Sequence, residues 1–238
     1  MTKLIQQGAE AKILLDEKNN LIIKDRISKS YRIKEIDDKI RKRRTKAETK
    51  LLLKASKIIN CPIPTHTLNI YQILMPFIKG KKLSEELDNF PLKKQKEILK
   101  IIGEEIAKLH DADIIHGDLT TSNMILVEEK KNNKNSYNNF PTTKSSLSSG
   151  GGGDAEGKNV CANLKIFFID FGLGYISKKI EDKAVDLHLL KHALEAKHFK
   201  NWKKLFEEFS KGYKQNKESK KILEKLTAVE KRGRYKER

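Results

Sequence analysis

Two short polar motifs, each set against an apolar run, constrain this chain more than any other feature. His116-Gly117-Asp118 is followed by Asn123, which opens directly into Met124-Ile125-Leu126-Val127. Far downstream, Leu164-Lys165-Ile166-Phe167-Phe168-Ile169 ends on Asp170-Phe171-Gly172. Both apolar runs are strand candidates. Between them lies a low-complexity insert, 128–163, with Asn-rich and Ser-rich tracts leading to Gly150-Gly151-Gly152-Gly153. Such a stretch buries too little apolar surface to offset its ordering entropy, so it reads as a disordered hairpin loop. The ordered trio of Asp118, Asn123 and Asp170 is the skeleton of a phosphoryl-transfer site. One carboxylate orients the attacking oxygen, while an amide and a second carboxylate hold magnesium against ATP.

Each member of the trio has an ordinary reading when taken alone. Asp118 could be a turn or capping residue, Asn123 a turn residue, and Asp170 an Asp-x-Gly turn. Their order and local contexts decide against those readings. With an ordinary pKa of about 3.9, an aspartate is a weak base, so the expected work of Asp118 is positioning.

The first 75 residues read as a small lobe rich in β-structure. Leu4-Ile5, Ile13-Leu14-Leu15 and Leu21-Ile22-Ile23-Lys24 form an antiparallel meander, with turns at Gly8 and at Asn19-Asn20. The basic run Arg41-Lys42-Arg43-Arg44 then leads into a helix. Its apolar positions are Leu51, Leu52, Ala55, Ile58 and Ile59, and Pro62 is expected to end it. Ile70 to Met75 form a further strand. The remainder, 76–238, reads as mainly helical. Ile98, Ile101, Ile102, Ile106 and Leu109 make one stripe; later stripes run through Leu187, Leu190 and Leu194, through Trp202, Leu205, Phe206 and Phe209, and through Ile222, Leu223, Leu226 and Val229. A basic tail, 230–238, is expected to be a flexible arm.

Lys24 ends a strand, where a lysine could present a fixed positive charge to nucleotide phosphates. Glu48, one turn before Leu51-Leu52, is its natural partner. Gln7-Gly8-Ala9-Glu10-Ala11 occupies the place of a phosphate-covering loop, and its small residues permit close approach. No GxxxxGK[ST] is present, which counts against a P-loop ATPase.

Composition adds a partner class. The 238 residues carry a formal net charge of +18, with a sequence pI near 9.7. Such a balance favours a polyanion such as RNA, DNA or an acidic protein surface; the plain alternative is a solvated lysine-rich surface. Cys61 and Cys161 form no metal-binding spacing and no disulfide framework. The start of the chain lacks a signal-peptide pattern and no stretch has the length of a membrane span, so an intracellular protein of the cytoplasm or nucleus is expected.

Taken together these motifs resemble the protein-kinase-like fold, and more narrowly the small atypical kinase/ATPase subunit of the KEOPS (EKC) complex. The resemblance rests on Gln7–Ala11, Arg43-Arg44-Thr45-Lys46-Ala47-Glu48, His116-Gly117-Asp118-Leu119-Thr120-Thr121-Ser122-Asn123-Met124, Ile169-Asp170-Phe171-Gly172-Leu173, Asp182–Leu187 and Arg232-Gly233-Arg234. It implies an α+β bilobal fold, with a small β-rich N-lobe, a mainly helical C-lobe and a minimal activation segment. It further implies ATP and Mg2+ as cofactors, with Asp118 catalytic and Asn123 and Asp170 as metal ligands. The implied nucleotide contacts are Gln7, Gly8, Ala9, Glu10, Ala11, Ile13, Lys24 and Glu48. A threonylcarbamoyl-transferase subunit, other KEOPS subunits and tRNA are the implied partners, in modification of the adenosine next to the anticodon. The sequence departs from the family pattern at Met75–Gly80, which lacks acidic residues, at Gly174, where serine is common, and at Glu230, where a basic residue is usual.

Only about ten residues separate Gly172 from Ala184-Val185-Asp186, and no Ala-Pro-Glu is present. A peptide-binding activation segment has no room there. ATP hydrolysis is therefore the expected main output, with serine/threonine protein kinase activity beside it. The rival readings are a RIO-type atypical protein kinase in ribosome maturation and an ATP-binding pseudokinase scaffold.

Overall fold

The computed structural model describes residues 2–65, 69–129 and 163–234. The N-terminal lobe is a four-stranded antiparallel sheet in the order β1-β2-β3-β4 (Thr2–Gln7, Ala11–Asp16, Leu21–Arg26, Gln72–Pro76) with one long helix, α1 (Lys34–Ala55). The β2–β3 turn uses Asn20 at φ +54°, a left-handed conformation that asparagine tolerates better than most residues. The β2–β3 register sets Ile13 opposite Lys24 and Ala11 opposite Arg26. Opposed residues share a sheet face, so these four side chains look the same way.

The second lobe is mainly helical. A short β5 (Lys81–Lys82) and α2 (Leu83–Glu86) lead to α3 (Leu92–Asp111), then β6 (Ile114–Ile115), β7 (Met124–Glu129), β8 (Asn163–Phe168) and β9 (Tyr175–Ile176). The helices α4 (Ile180–Lys197), α5 (Trp202–Tyr213) and α6 (Ser219–Arg234) complete it. β7 and β8 pair antiparallel, with Met124 opposite Phe168. This pairing sets Asn123 and Asp170 at the same end of one hairpin. One apolar core joins Leu51, Leu52 and Ala55 of α1 to Leu99, Ile102, Ile106, Phe168, Leu187 and Phe209. No helix among the described residues is long and apolar enough to cross a membrane.

Several boundaries differ from the sequence expectation. Helix α1 begins at Lys34, so the basic run lies inside it, and it ends at Ala55 rather than at Pro62. Tight turns then carry Ile58 and Ile59 into the core, both N–H groups donating to Ala55 O. β4 starts at Gln72, because Asn69 forms a turn whose Oδ1 accepts the Tyr71 N–H. β7 and β8 extend two residues and one residue into the expected insert, and residues 130–162 lie outside the described ones. Helix α6 runs on to Arg234, so the first half of the expected flexible arm is helical. Its apolar stripe packs into the core through Ile222 and Leu226, and its end is tied by ion pairs of Glu230 with Lys191 and of Arg232 with Glu181. Residues 235–238 lie outside the described ones.

A close helix crossing was not visible in the apolar stripes. At Gly103 on α3, an added Cβ would sit 2.1 Å from Phe209 O on α5; at Gly212 on α5 it would sit 2.1 Å from Lys100 O. The two backbones meet through paired glycines, with no side chain to yield. A Gly103→Ala variant should lose about 1–2 kcal/mol of stability, overpacking outweighing the helix preference for alanine. Urea denaturation measures this; an unchanged midpoint would show that the crossing can relax.

Candidate active site

The site is assembled where the two lobes meet. Lys24 Nζ donates to Glu48 Oε1 at 2.7 Å and to Asp170 Oδ1 at 2.7 Å. Lys24 comes from β3, Glu48 from α1 and Asp170 from the end of β8, so one ammonium ties three elements together. The Lys24 and Glu48 side chains are buried, while that of Asp170 is 46% exposed. Burial alone would push the Lys24 pKa down, but the Glu48 and Asp170 carboxylates outweigh it and raise it above the ordinary lysine value. Burial likewise pushes the Asp170 carboxyl up, and Lys24 overrides that to hold it below the usual range. Asp170 has φ +63°, a left-handed conformation that Asp adopts more readily than most residues. Its Oδ1 also accepts the Gly172 N–H at 3.1 Å.

At the same hairpin end, Asn123 Nδ2 donates to both Asp118 O and Asp118 Oδ2 at 2.9 Å. The amide is thereby held with its NH2 on Asp118 and its Oδ1 on the opposite side. The Ile169 N–H donates to Asn123 O at 3.0 Å, which locks the residue before Asp170 to the loop. His116 is fully buried, and its Nε2 lies 3.2 Å from Ile169 O, a second tie between the same two segments. Burial lowers the His116 pKa even with Asp186, Asp170 and Asp118 nearby, which favours neutral imidazole.

Asp186 holds the loop from beneath. From α4, its Oδ2 accepts the His116 N–H at 2.8 Å and its Oδ1 the Gly117 N–H at 2.9 Å, while His110 Nε2 lies 3.2 Å from Oδ2. Its burial works against the charge, but the His110 and His116 interactions overcome it and leave the pKa below the ordinary value. Gly117 sits at φ +79°. A Cβ there would come within 2.3 Å of Leu173 O, so neither the conformation nor the space admits a side chain.

The sequence-predicted residues fall into two groups. Lys24, Glu48, Asp118, Asn123 and Asp170 are linked by direct bonds or through one backbone bond, and Ile13 stands opposite Lys24 in the sheet. Gln7 ends β1, paired with Lys12, and Gly8, Ala9 and Glu10 form the turn to β2, closed by the Gly8 N–H donating to Ala11 O at 2.9 Å. Glu10 points to the protein's own arginines, pairing with Arg44 and, at 3.5 Å, with Arg26. Sequence reasoning missed Arg26, which binds Glu48 Oε2 at 2.5 Å and fixes the carboxylate that receives Lys24. A basic residue two positions after Lys24, hence on the same strand face, was the available signal. It also missed the work of Asp186, an isolated acid beside buried leucines on α4. The departure at Gly174 has a steric cause: a Cβ there would meet Leu51 Cδ2 at 2.4 Å and Ile115 O at 2.9 Å.

Comparison with known proteins agrees with this geometry. The RIO domain family matches residues 16–132. The KEOPS complex subunit Bud32 of Pyrococcus abyssi is 40% identical over 99% of this chain and 97% of its own length. This chain belongs to the Bud32 family. A second relative, a probable bifunctional tRNA threonylcarbamoyladenosine biosynthesis protein of Methanobrevibacter smithii, is 40% identical over 98% of this chain; the match spans 36% of that longer protein. The Rio2 kinase from Chaetomium thermophilum shares the fold at TM-score 0.52 and 17% identity, over 96% of this chain and 71% of its own. The family thus has a protein-kinase-like fold, with a small sheet-rich lobe and a helical lobe as expected.

The Asp186 network generates a stability prediction. An Asp186→Asn variant places an NH2 against one of two buried backbone N–H groups, and should cost about 3 kcal/mol at pH 7. The folded-state pKa of Asp186 is lowered, so its contribution is complete above the unfolded value of about 3.9 and is lost as pH falls through the lower folded value. Urea titrations at successive pH values should show the wild-type advantage shrinking only below about pH 4. A gap that stays constant into strong acid would mean that Asp186 is not ionised in the fold.

Proposed function

We propose that this protein carries out Mg-ATP-dependent phosphoryl transfer, chiefly ATP hydrolysis, in support of KEOPS-type threonylcarbamoylation of the tRNA adenosine next to the anticodon. The observation that carries this reading is the fixed Asn123 amide. Its NH2 is engaged by Asp118, which leaves Oδ1 as a hard oxygen ligand in the hairpin end that also presents the Asp170 carboxylate. Two oxygen donors of this kind suit magnesium, which prefers carboxylate and amide oxygens together with phosphate. Bound there, magnesium would neutralise charge on the nucleotide oxygens.

The chain's own residues supply the rest. Asp118 is placed to accept a hydrogen bond from the attacking oxygen and align it, its backbone and one carboxylate oxygen already held by Asn123. Lys24, kept charged by Glu48, presents a fixed cation toward the nucleotide phosphates, and Arg26 keeps Glu48 from turning away. The β1–β2 turn from Gln7 to Ala11 covers the phosphates, and Ile13 offers an apolar contact to the base-bearing end. The stretch from Gly172 to the start of α4 at Ile180 holds only the two-residue strand β9, paired with β6, and offers no platform for a peptide. Water, or a partner loop docked at Asp118, is the better acceptor; serine/threonine phosphorylation is a secondary output.

The relatives support the assembly. One full-length match is named as a KEOPS subunit, and a longer one is named for tRNA threonylcarbamoyladenosine biosynthesis. A threonylcarbamoyl-transferase subunit, other KEOPS subunits and tRNA are the proposed partners, within the cell. A ribosomal role of RIO type has less support, since the Rio2 likeness stands at 17% identity.

Asp170→Ala and Asp118→Ala should each lower ATP turnover at least about a hundredfold, the scale on which aimed electrostatic groups act. Labelled-ATP hydrolysis, measured with and without a co-purified transferase partner, checks this. Near-normal turnover in either variant would remove the mechanism, and rapid peptide phosphorylation without hydrolysis would remove the ATPase reading.

A further inference from the structure

Helix α1 carries two populations of basic residues with different surroundings. Those facing the protein are paired: Arg41 bonds Asp37 and Asp38, and Arg44 bonds Glu10. Beyond the first turn, where Lys34 points to another side, the outward ones are Lys39, Lys42, Arg43, Lys46, Lys50 and Lys54, all exposed. None of these six makes an ion pair among the described residues, whereas some exposed lysines elsewhere do, as in Lys81–Glu128 and Lys211–Glu208.

At 3.6 residues per turn the six fall on one stripe, and Glu48 falls on the opposite side of the helix. From Lys39 to Lys54, Glu48 is the only acid in the sequence, and it is buried against Lys24 and Arg26. The stripe therefore runs about 22 Å, at 1.5 Å per residue, without one compensating negative charge. Neighbours such as Lys39 and Arg43, or Lys42 and Lys46, stand one turn apart, and like charges so placed weaken a helix. The fold tolerates that repulsion along four turns.

We infer that this outer face of α1 docks the phosphate backbone of an RNA. A polyanion supplies the missing counter-charge at every turn, and association gains from counterion release. Lysine dominance favours nucleic acid over an acidic protein, because protein interfaces are depleted in lysine and enriched in aromatic residues, and this stripe carries no aromatic side chain. For the same reason the contact reads phosphates and not bases, so it positions RNA without selecting sequence. The proposed role in tRNA modification guides only the choice of probe; the unpaired stripe stands without it.

The test uses the full chain with Lys42, Arg43, Lys46 and Lys50 changed together to Ala. None of these touches the Lys24–Glu48–Asp170 cluster, and alanine is the best helix former, so the fold and basal ATP hydrolysis should be unchanged. Binding of an in vitro transcribed tRNA is followed by fluorescence anisotropy over a salt series. Affinity should fall at least tenfold at about 0.15 M salt, and the slope of log affinity against log salt should flatten by about three, for four lost phosphate contacts. A charge-matched control, Lys200, Lys204, Lys214 and Lys217 to Ala, should lose less than threefold, and a variant with Arg at all four stripe positions should bind like wild type. Equal loss in both alanine variants, an unchanged slope, or RNA binding retained while an acidic protein partner is lost would each overturn the assignment. If ATP hydrolysis were absent from wild type while the stripe variant still lost RNA, the enzymatic reading would fail and the docking surface would stand.

Discussion

One buried ammonium group organises this molecule. Lys24 reaches Glu48 on α1 and Asp170 at the end of β8, both at 2.7 Å, and so joins the sheet, the long helix and the β7–β8 hairpin. A charge taken out of water is stable only when paired and hydrogen-bonded. Here the requirement is met by two acids, with Arg26 as a second base on Glu48. Four ionic groups from three elements thus depend on one another, and the relative placement of the two lobes is written into their geometry. The shared apolar core from Leu51 to Phe209 gives bulk cohesion, while the ionic cluster gives direction.

The loop that presents Asp118 rests on a second buried acid. Asp186 accepts two backbone N–H groups and stands beside His110, which itself meets Tyr213 OH at 2.8 Å. The loop is consequently held from below by α3, α4 and α5, while Asn123 and His116 tie it sideways to the strand leading into Asp170. Asp118 and Asp170 come from segments about fifty residues apart in sequence. They are aligned by one backbone bond, from Ile169 N–H to Asn123 O, together with the Asn123 amide on Asp118 and the His116 ring on Ile169 O.

Much of this was legible in the sequence, for identifiable reasons. Asp118, Asn123 and Asp170 could be read because Asn123 and Asp170 border apolar strands, Asp118 lies in the loop just before Asn123, and their order matches one chemistry. Lys24 and Glu48 could be paired because a lysine on an apolar strand and an acid one turn before Leu51-Leu52 can meet, although β3 runs on past Lys24 to Arg26. Arg26 and Asp186 escaped because their work is to hold other groups in place, and a lone charged residue gives no pattern that says so. The Gly103–Gly212 crossing escaped because apolar periodicity marks which faces meet and not how closely. The end of α6 was misjudged because the Arg-Gly-Arg composition suggested an arm, whereas tertiary packing and two ion pairs carry the helix through it. Net charge pointed to a polyanion, but only the structure separates lysines that are paired from those that are not.

In the proposed mechanism the Asn123 amide and the Asp170 carboxylate form a divalent-cation site which the nucleotide completes. Calorimetric titration of ATP into wild type and Asp170→Asn, each with and without magnesium, addresses it most directly. Magnesium should tighten ATP binding to wild type by at least about tenfold, and the variant should keep its magnesium-free affinity but lose that gain. An equal magnesium-dependent gain in both proteins would contradict it.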